Sequence, residues 1–241
     1  MKLLNLDLFY LKIFYIFWIF TSIYIIFKSI KVDQLNVGNE TVLNIATTSS
    51  TFIKGLPAIS AAIFVLVMRF NDSPPLFLLV GAFLFCFAGD LGIEKDILIG
   101  LSLFLIAQLL FSLVFLIQVF TIGFSVNVLF LAAIAVFIVV IYMLIFLQYL
   151  ESSEDGLGSL KIPILAYCVV ISLMLISSIL LWGTLGKLEV IVVVIGALLF
   201  IISDSIIGIH EFHHKISRSV LMVMITYYSA IFLLSLSVFI L

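Results

Sequence analysis

Eight stretches of roughly 20 apolar residues follow one another along this chain, at 8–30, 44–69, 75–92, 97–120, 125–149, 161–182, 188–209 and 219–241. A hydrocarbon core about 30 Å thick takes about 20 helical residues, so each stretch is long enough to cross a bilayer. Polar or turn-forming breaks separate them: KVDQLNVGNE, NDSPP, GIEKD, ESSEDGLGS, GTLGK and HEFHHKISRS, with IGFS near residue 123 the weakest. In lipid a backbone has to satisfy its own hydrogen bonds, and the stretches lack the alternation of a barrel strand. The expected fold is therefore all-α, a polytopic bundle of eight transmembrane helices forming a single integral membrane domain over 1–241. No small-residue cleavage site follows the first apolar run, which reads as a retained span.

Composition closes off the other classes. Of 241 residues 65% are hydrophobic and 10% charged, with a mean hydropathy of +1.44, whereas soluble domains sit near half apolar and a quarter charged. A net charge of −2 with no basic patch gives nucleic acid nothing to bind. Cys86 and Cys168 lie inside apolar stretches as small hydrophobes, not as a disulfide framework. Lys28, Lys31, Lys95, Lys161, Lys215 and Arg218 fall in odd-numbered connections; only Lys2, Arg69 and Lys187 fall at the N-terminus or in even-numbered ones. Positive charge stays inside, so both termini are expected on the non-cytoplasmic side.

One costly phrase occurs twice. GAFLFCFAGD ends at Asp90 in the third stretch, and GALLFIISD ends at Asp204 in the seventh. Four stretches apart, both helices run the same way, which fits two parallel four-helix repeats; chance likeness between two Leu/Phe/Gly-rich helices explains it equally well. The aspartates lie 15 and 16 residues beyond the starts of their stretches, at similar depth near one face. The charge count makes that face cytoplasmic. Lys54, Gln108 and Tyr228 enter from it too, so one side of the bundle should collect Lys54, Asp90, Gln108, Ser203, Asp204, His210 and Tyr228. An intramembrane carboxylate costs about 2.5–3.5 kcal/mol unless it faces a cavity or a partner. Lys54 is the natural partner, and a Lys–Asp bridge that only fixes packing is the plainest account. One lysine cannot neutralise two aspartates, however. The pair would then hold one carboxylic acid and one carboxylate, which is where acid–base chemistry or proton-coupled transport begins.

Several motifs stand together: FIKGLPA with Lys54 and Pro57, FAGD with Gly89 and Asp90, GLSLFLIAQLLF from Gly100 through Phe104, GALLFIISDSI with Ser203 and Asp204, and the pair Tyr227–Tyr228. On these the chain, from about residue 50 to 230, resembles the lysoplasmalogenase family of YhhN type, multi-pass membrane proteins. The resemblance implies hydrolysis of the vinyl-ether bond of a lysoplasmalogen, a single-chain lysophospholipid, to a fatty aldehyde and a glycerophospho-base, with no cofactor and no metal. It implies Asp90 and Asp204 as the catalytic pair, one the acid and the other steadying the cation and activating water. Lys54 would tune them or meet the phosphate, and Tyr228, Gln108, Ser203 and His210 would line the substrate site. Three positions depart from the family pattern: Gln108 stands where a histidine is usual, His210 where an asparagine is, and Ile231 where a glutamine is. Gln108 hydrogen-bonds but carries no proton at neutral pH.

HEFHH at 210–214 matches the zinc motif H-E-x-x-H in His210, Glu211 and His214. No Asp, Glu or His follows residue 214 to complete a ligand set, so an interfacial loop is the better reading. ESSEDG reads as a solvated loop, the aromatic first stretch as a membrane anchor with Lys12 reaching the interface, and Glu94 as a neighbour of Asp90. Two rival classes remain beside the hydrolase: an ion- or proton-coupled carrier using the two aspartates, and a catalytically silent lipid-binding membrane protein.

Overall fold

The computed structural model describes residues 54–69, 74–93, 95–154 and 156–241, together with Lys12, Phe14, Trp18, Ile19, Ser22 and Ile23. Most of the expected first span, the first ten residues of the second, Lys2, Lys28, Lys31, Glu94 and Asp155 lie outside the described residues. The described chain is helical, without strands. Its helices are α1 (Leu56–Arg69), α2 (Pro74–Ile93), α3 (Ile97–Ile122), α4 (Val126–Glu151), α5 (Lys161–Leu185), α6 (Ile191–Phe212) and α7 (Ser219–Ser235). Short 3₁₀ turns at Gly158–Leu160, Leu188–Val190 and Leu236–Phe239 extend α5, α6 and α7.

Six helical segments are long and apolar enough to cross a membrane: Pro75–Ile93, Ile97–Ile122, Val126–Glu151, Gly158–Leu185, Leu188–Phe212 and Ser219–Phe239. This is a multi-pass membrane protein. These six are the expected third to eighth stretches, and most of the first and the start of the second lie outside the described residues. Within the described part of the second stretch, 54–69, α1 has 14 residues and reaches about 21 Å.

The breaks have local causes. Proline is tolerated only in a first turn, where no backbone donor is lost, and Pro57, Pro75 and Pro163 all sit there. Asp96 caps α3, its Oδ1 accepting the N–H groups of Leu98 at 2.7 Å and Ile99 at 3.4 Å. The weak break near 123 is real: Gly123 has φ +82°, a left-handed conformation that a side chain would oppose.

The chain falls into two compact units, Met1–Ala107 and Gln108–Leu241. In the first, α1 presents Ala58, Ala61, Ala62 and Val65, all buried, as a stripe of small residues at helical spacing that lets α2 approach closely. Phe14 stacks on Phe64 of α1 with centroids 4.2 Å apart. A Cβ at Gly55 would lie 2.5 Å from the Phe87 ring, and one at Gly89 would lie 2.9 Å from the Phe104 ring. The FIKG and FAGD phrases are thus packing joints as well as carriers of polar groups.

In the second unit α6 and α7 cross where Gly196 faces Leu233 and Leu234, close enough that a Cβ would lie 3.1–3.2 Å from them. α5 buries Ile164, Tyr167, Cys168, Ile171, Met174, Leu175, Ser178 and Leu181, a stripe at three- and four-residue intervals. α4 buries little and exposes Phe130, Phe137, Ile138, Leu144 and Ile145. In a membrane protein such a face meets lipid.

Candidate functional site

Asp204 sits on the inward stripe of α6, three residues after Ile201 and four after Phe200, both buried. Its Oδ2 accepts a hydrogen bond from Gln108 Nε2 of α3 at 3.0 Å and another from the Tyr167 hydroxyl of α5. Gln108 Nε2 also donates to Tyr167 Oη at 2.8 Å. The three side chains close a triangle among three helices. Tyr167 lies six residues after the start of α5, and Asp204 eight before the end of α6. Tyr142, nine before the end of α4, completes a layer about 9–14 Å from one end of those helices.

Oδ2 accepts both bonds, so any proton on Asp204 has to sit on Oδ1, which has no hydrogen-bond partner among the described residues. Gln108 is fully buried, and its Oε1 is likewise unpartnered. Beside Asp204 a cleft of about 40 Å³ opens between α4, α5 and α6. Tyr142, Tyr167, Ser172, Asp204 and Ser205 are its polar lining residues; Met143, Phe146, Cys168, Ile171 and Ile201 supply most of its apolar wall. Tyr142 Oη and Ser205 Oγ are 2.5 Å apart. A cluster of Leu150, Leu157, Ile164 and Cys168, with Phe146, Ile209 and Phe212 against it, packs the adjacent end of the unit.

Of the residues expected at the site, Gln108 and Asp204 meet directly. Ser203 is buried and donates to Val223 O of α7 at 3.4 Å. Tyr228 is buried in α7, its ring 5.6 Å from that of Tyr227. His210 Nδ1 accepts the backbone N–H of Ile216 at 2.9 Å. In the first unit, Lys54 adjoins Gly55, which meets Phe87 one turn before Asp90; Asp90 lies three residues before the end of α2. Sequence reading missed Tyr167, Tyr142 and Ser205. The signal for Tyr167 was its place on the regular inward stripe of α5, where a buried hydroxyl demands a partner.

The HEFHH motif does not build the geometry its spacing suggests. α6 ends at Phe212, and the N–H groups of His213 and His214 both turn back to Ile209 O, at 3.0 and 2.9 Å. His214 therefore leaves the helix face that carries His210. His213 instead stacks on Tyr149 with centroids 4.2 Å apart. No group of three or more His, Cys, Asp or Glu among the described residues is placed to hold a metal. Elemental analysis of the purified protein is expected to find zinc well below one ion per chain.

The model of the YhhN family matches residues 49–238, a span that includes both aspartate phrases. The chain belongs to that family, the lysoplasmalogenase family. No curated protein and no solved structure matches the chain. Gln108, one of the two donors to Asp204, is neutral at any pH the protein meets.

Proposed function

We propose that this protein is a membrane-embedded lipid hydrolase that cleaves the vinyl-ether bond of a single-chain lysoplasmalogen, releasing a fatty aldehyde and a glycerophospho-base. The observation that carries the reading is Asp204: a carboxylate inside a membrane-length helix, held by two donors and lining a cleft, within a chain of the lysoplasmalogenase family. A vinyl ether is hydrolysed by protonating the alkene carbon remote from oxygen. The oxocarbenium ion that forms is captured by water, and the hemiacetal collapses to aldehyde and alcohol. The chemistry needs one carboxylic acid and one carboxylate, the division of labour seen in glycoside hydrolysis. Asp90 and Asp204 are the proposed pair. Lys54 is proposed to meet the lipid phosphate, with Ser203, Tyr228 and His210 supporting the substrate site. The charge asymmetry further proposes non-cytoplasmic termini and a cytoplasmic mouth.

Purified protein is expected to release fatty aldehyde from a vinyl-ether lysolipid and none from the matching alkyl-ether lysolipid. Equal inertness toward both would remove the proposal. Tyr167→Phe deletes one of the two donors on Asp204 and the acceptor of Gln108. Losing one such bond is worth about 1.4 kcal/mol, so turnover is expected to drop about tenfold, with KM within about twofold of the parent. Steady-state kinetics of aldehyde release checks it.

A further inference from the structure

The cleft beside Asp204 is the wrong size for a lipid chain. At about 40 Å³ it holds one to a few water molecules, since a water occupies about 10–15 Å³ on that measure and asks for two to four polar partners. Those partners are present. Ser205 Oγ donates to Ile201 O at 2.6 Å, so its only hydrogen is spent. The 2.5 Å contact between Tyr142 and Ser205 must then have Tyr142 as donor. The Tyr142 oxygen keeps acceptor capacity beside the cleft, and Oδ1 of Asp204 is a second acceptor. A water donating one hydrogen to each has an oxygen lone pair left over for an electrophile.

We propose that this cleft seats the hydrolytic water, with Asp204 as its general base and the Tyr142–Ser205 pair as its positioning residues. The inference rests on the hydrolase reading and deepens it by assigning the two carboxylates: Asp204 works on the water, which leaves the proton donor's part to Asp90. In the step, water oxygen bonds to the oxocarbenium carbon, a water proton passes to Asp204, and the C=O⁺ π pair returns to the ether oxygen. The resulting hemiacetal hydroxyl then gives up its proton, and its O–H electron pair forms the aldehyde C=O. The C–O bond to glycerol breaks with its pair leaving on the glycerol oxygen, which takes up a proton.

A water site has a kinetic consequence that a packing role lacks. If capture is slowed, the ion survives long enough to hand a proton back, and protonation of the alkene becomes reversible. In D₂O, the recovered vinyl-ether lysolipid then carries deuterium at the alkene carbon remote from oxygen. The test compares the parent with Tyr142→Phe, which removes the acceptor, with Ser205→Ala, which leaves the Tyr142 hydroxyl unanchored, and with Ser172→Phe, which fills the cleft from α5. The parent is expected to give aldehyde and leave the recovered substrate free of deuterium. Tyr142→Phe and Ser205→Ala are expected to release aldehyde five- to tenfold more slowly, and Ser172→Phe at least fiftyfold more slowly, each with deuterium in the recovered lipid. Parent-like rates in all three, or slow rates with no deuterium in the recovered lipid, overturn the water site and leave the hydrolase reading standing. A parent that releases no aldehyde overturns both.

Discussion

Asp204→Asn is expected to reduce aldehyde release by about 10²–10⁴-fold, the usual contribution of a positioned acid or base, while the protein folds as before. The two halves of that expectation have separate physical grounds. An asparagine carbonyl can stand where Oδ2 stands and go on accepting from Gln108 Nε2 and Tyr167 Oη, so the three-helix triangle survives. The amide nitrogen that replaces Oδ1 has no lone pair with which to take a proton from water. Asp204→Leu makes the contrast: it strands the Tyr167 hydroxyl and a Gln108 donor away from water, at about 1–3 kcal/mol for a buried group left unsatisfied. Thermal unfolding in detergent should therefore separate Leu from Asn, whereas an aldehyde assay should find both inactive. An asparagine variant with parent-like turnover would take Asp204 out of the chemistry.

Gly100→Ala is expected to destabilise the first unit by about 3 kcal/mol, at the upper end of the usual penalty for overpacking. A Cβ at Gly100 would lie 2.2 Å from Ile93 Cγ1, 2.6 Å from Ile93 N and 2.8 Å from Ile93 Cα. The first atom belongs to a side chain that can rotate away. The other two are backbone, fixed by the turn in which Lys95 and Asp96 N–H groups bond Gly92 O at 2.9 and 3.0 Å. Relief has to come from displacing the end of α2, three residues from Asp90, so lost stability and lost activity should arrive together. Gly183→Ala is the matched control in the second unit. There the nearest atoms are side-chain methyls of Leu131 and Val128 at 3.1 and 3.3 Å, which can give by a few tenths of an ångström. Its unfolding midpoint should stay close to the parent's, and equal losses in the two variants would refute the backbone argument.

Ser203 and Ser205 show how far sequence reading reaches into the site. Both flank Asp204, and the family phrase drew attention to Ser203. Successive residues on a helix point about 100° apart, so the two flanking serines leave Asp204 in opposite directions. Ser203 turns to Val223 on α7, and Ser205 turns to Tyr142 on α4. Adjacency in sequence carried no information about which of them shares the cleft. Tyr167 was passed over because one tyrosine in an apolar stretch reads as aromatic filler. Its hydroxyl matters only once α3 and α6 bring Gln108 and Asp204 to it. HEFHH failed in the converse way, since its spacing has metal-binding meaning only if the helix continues to residue 214, and α6 stops at Phe212.

Hydropathy alone fixed that this chain lives in a membrane as helices, because burying an unpaired backbone in lipid is prohibitive and that constraint acts on every residue in turn. It also marked Asp204 and Gln108, since a polar group inside an apolar helix needs a reason to be there. The partners of those groups belong to tertiary structure. Which face of α5 meets α6, and so which hydroxyl reaches the carboxylate, depends on how side chains from separate helices interlock. That choice is made by packing across tens to nearly a hundred residues of intervening chain, where no local pattern can register it.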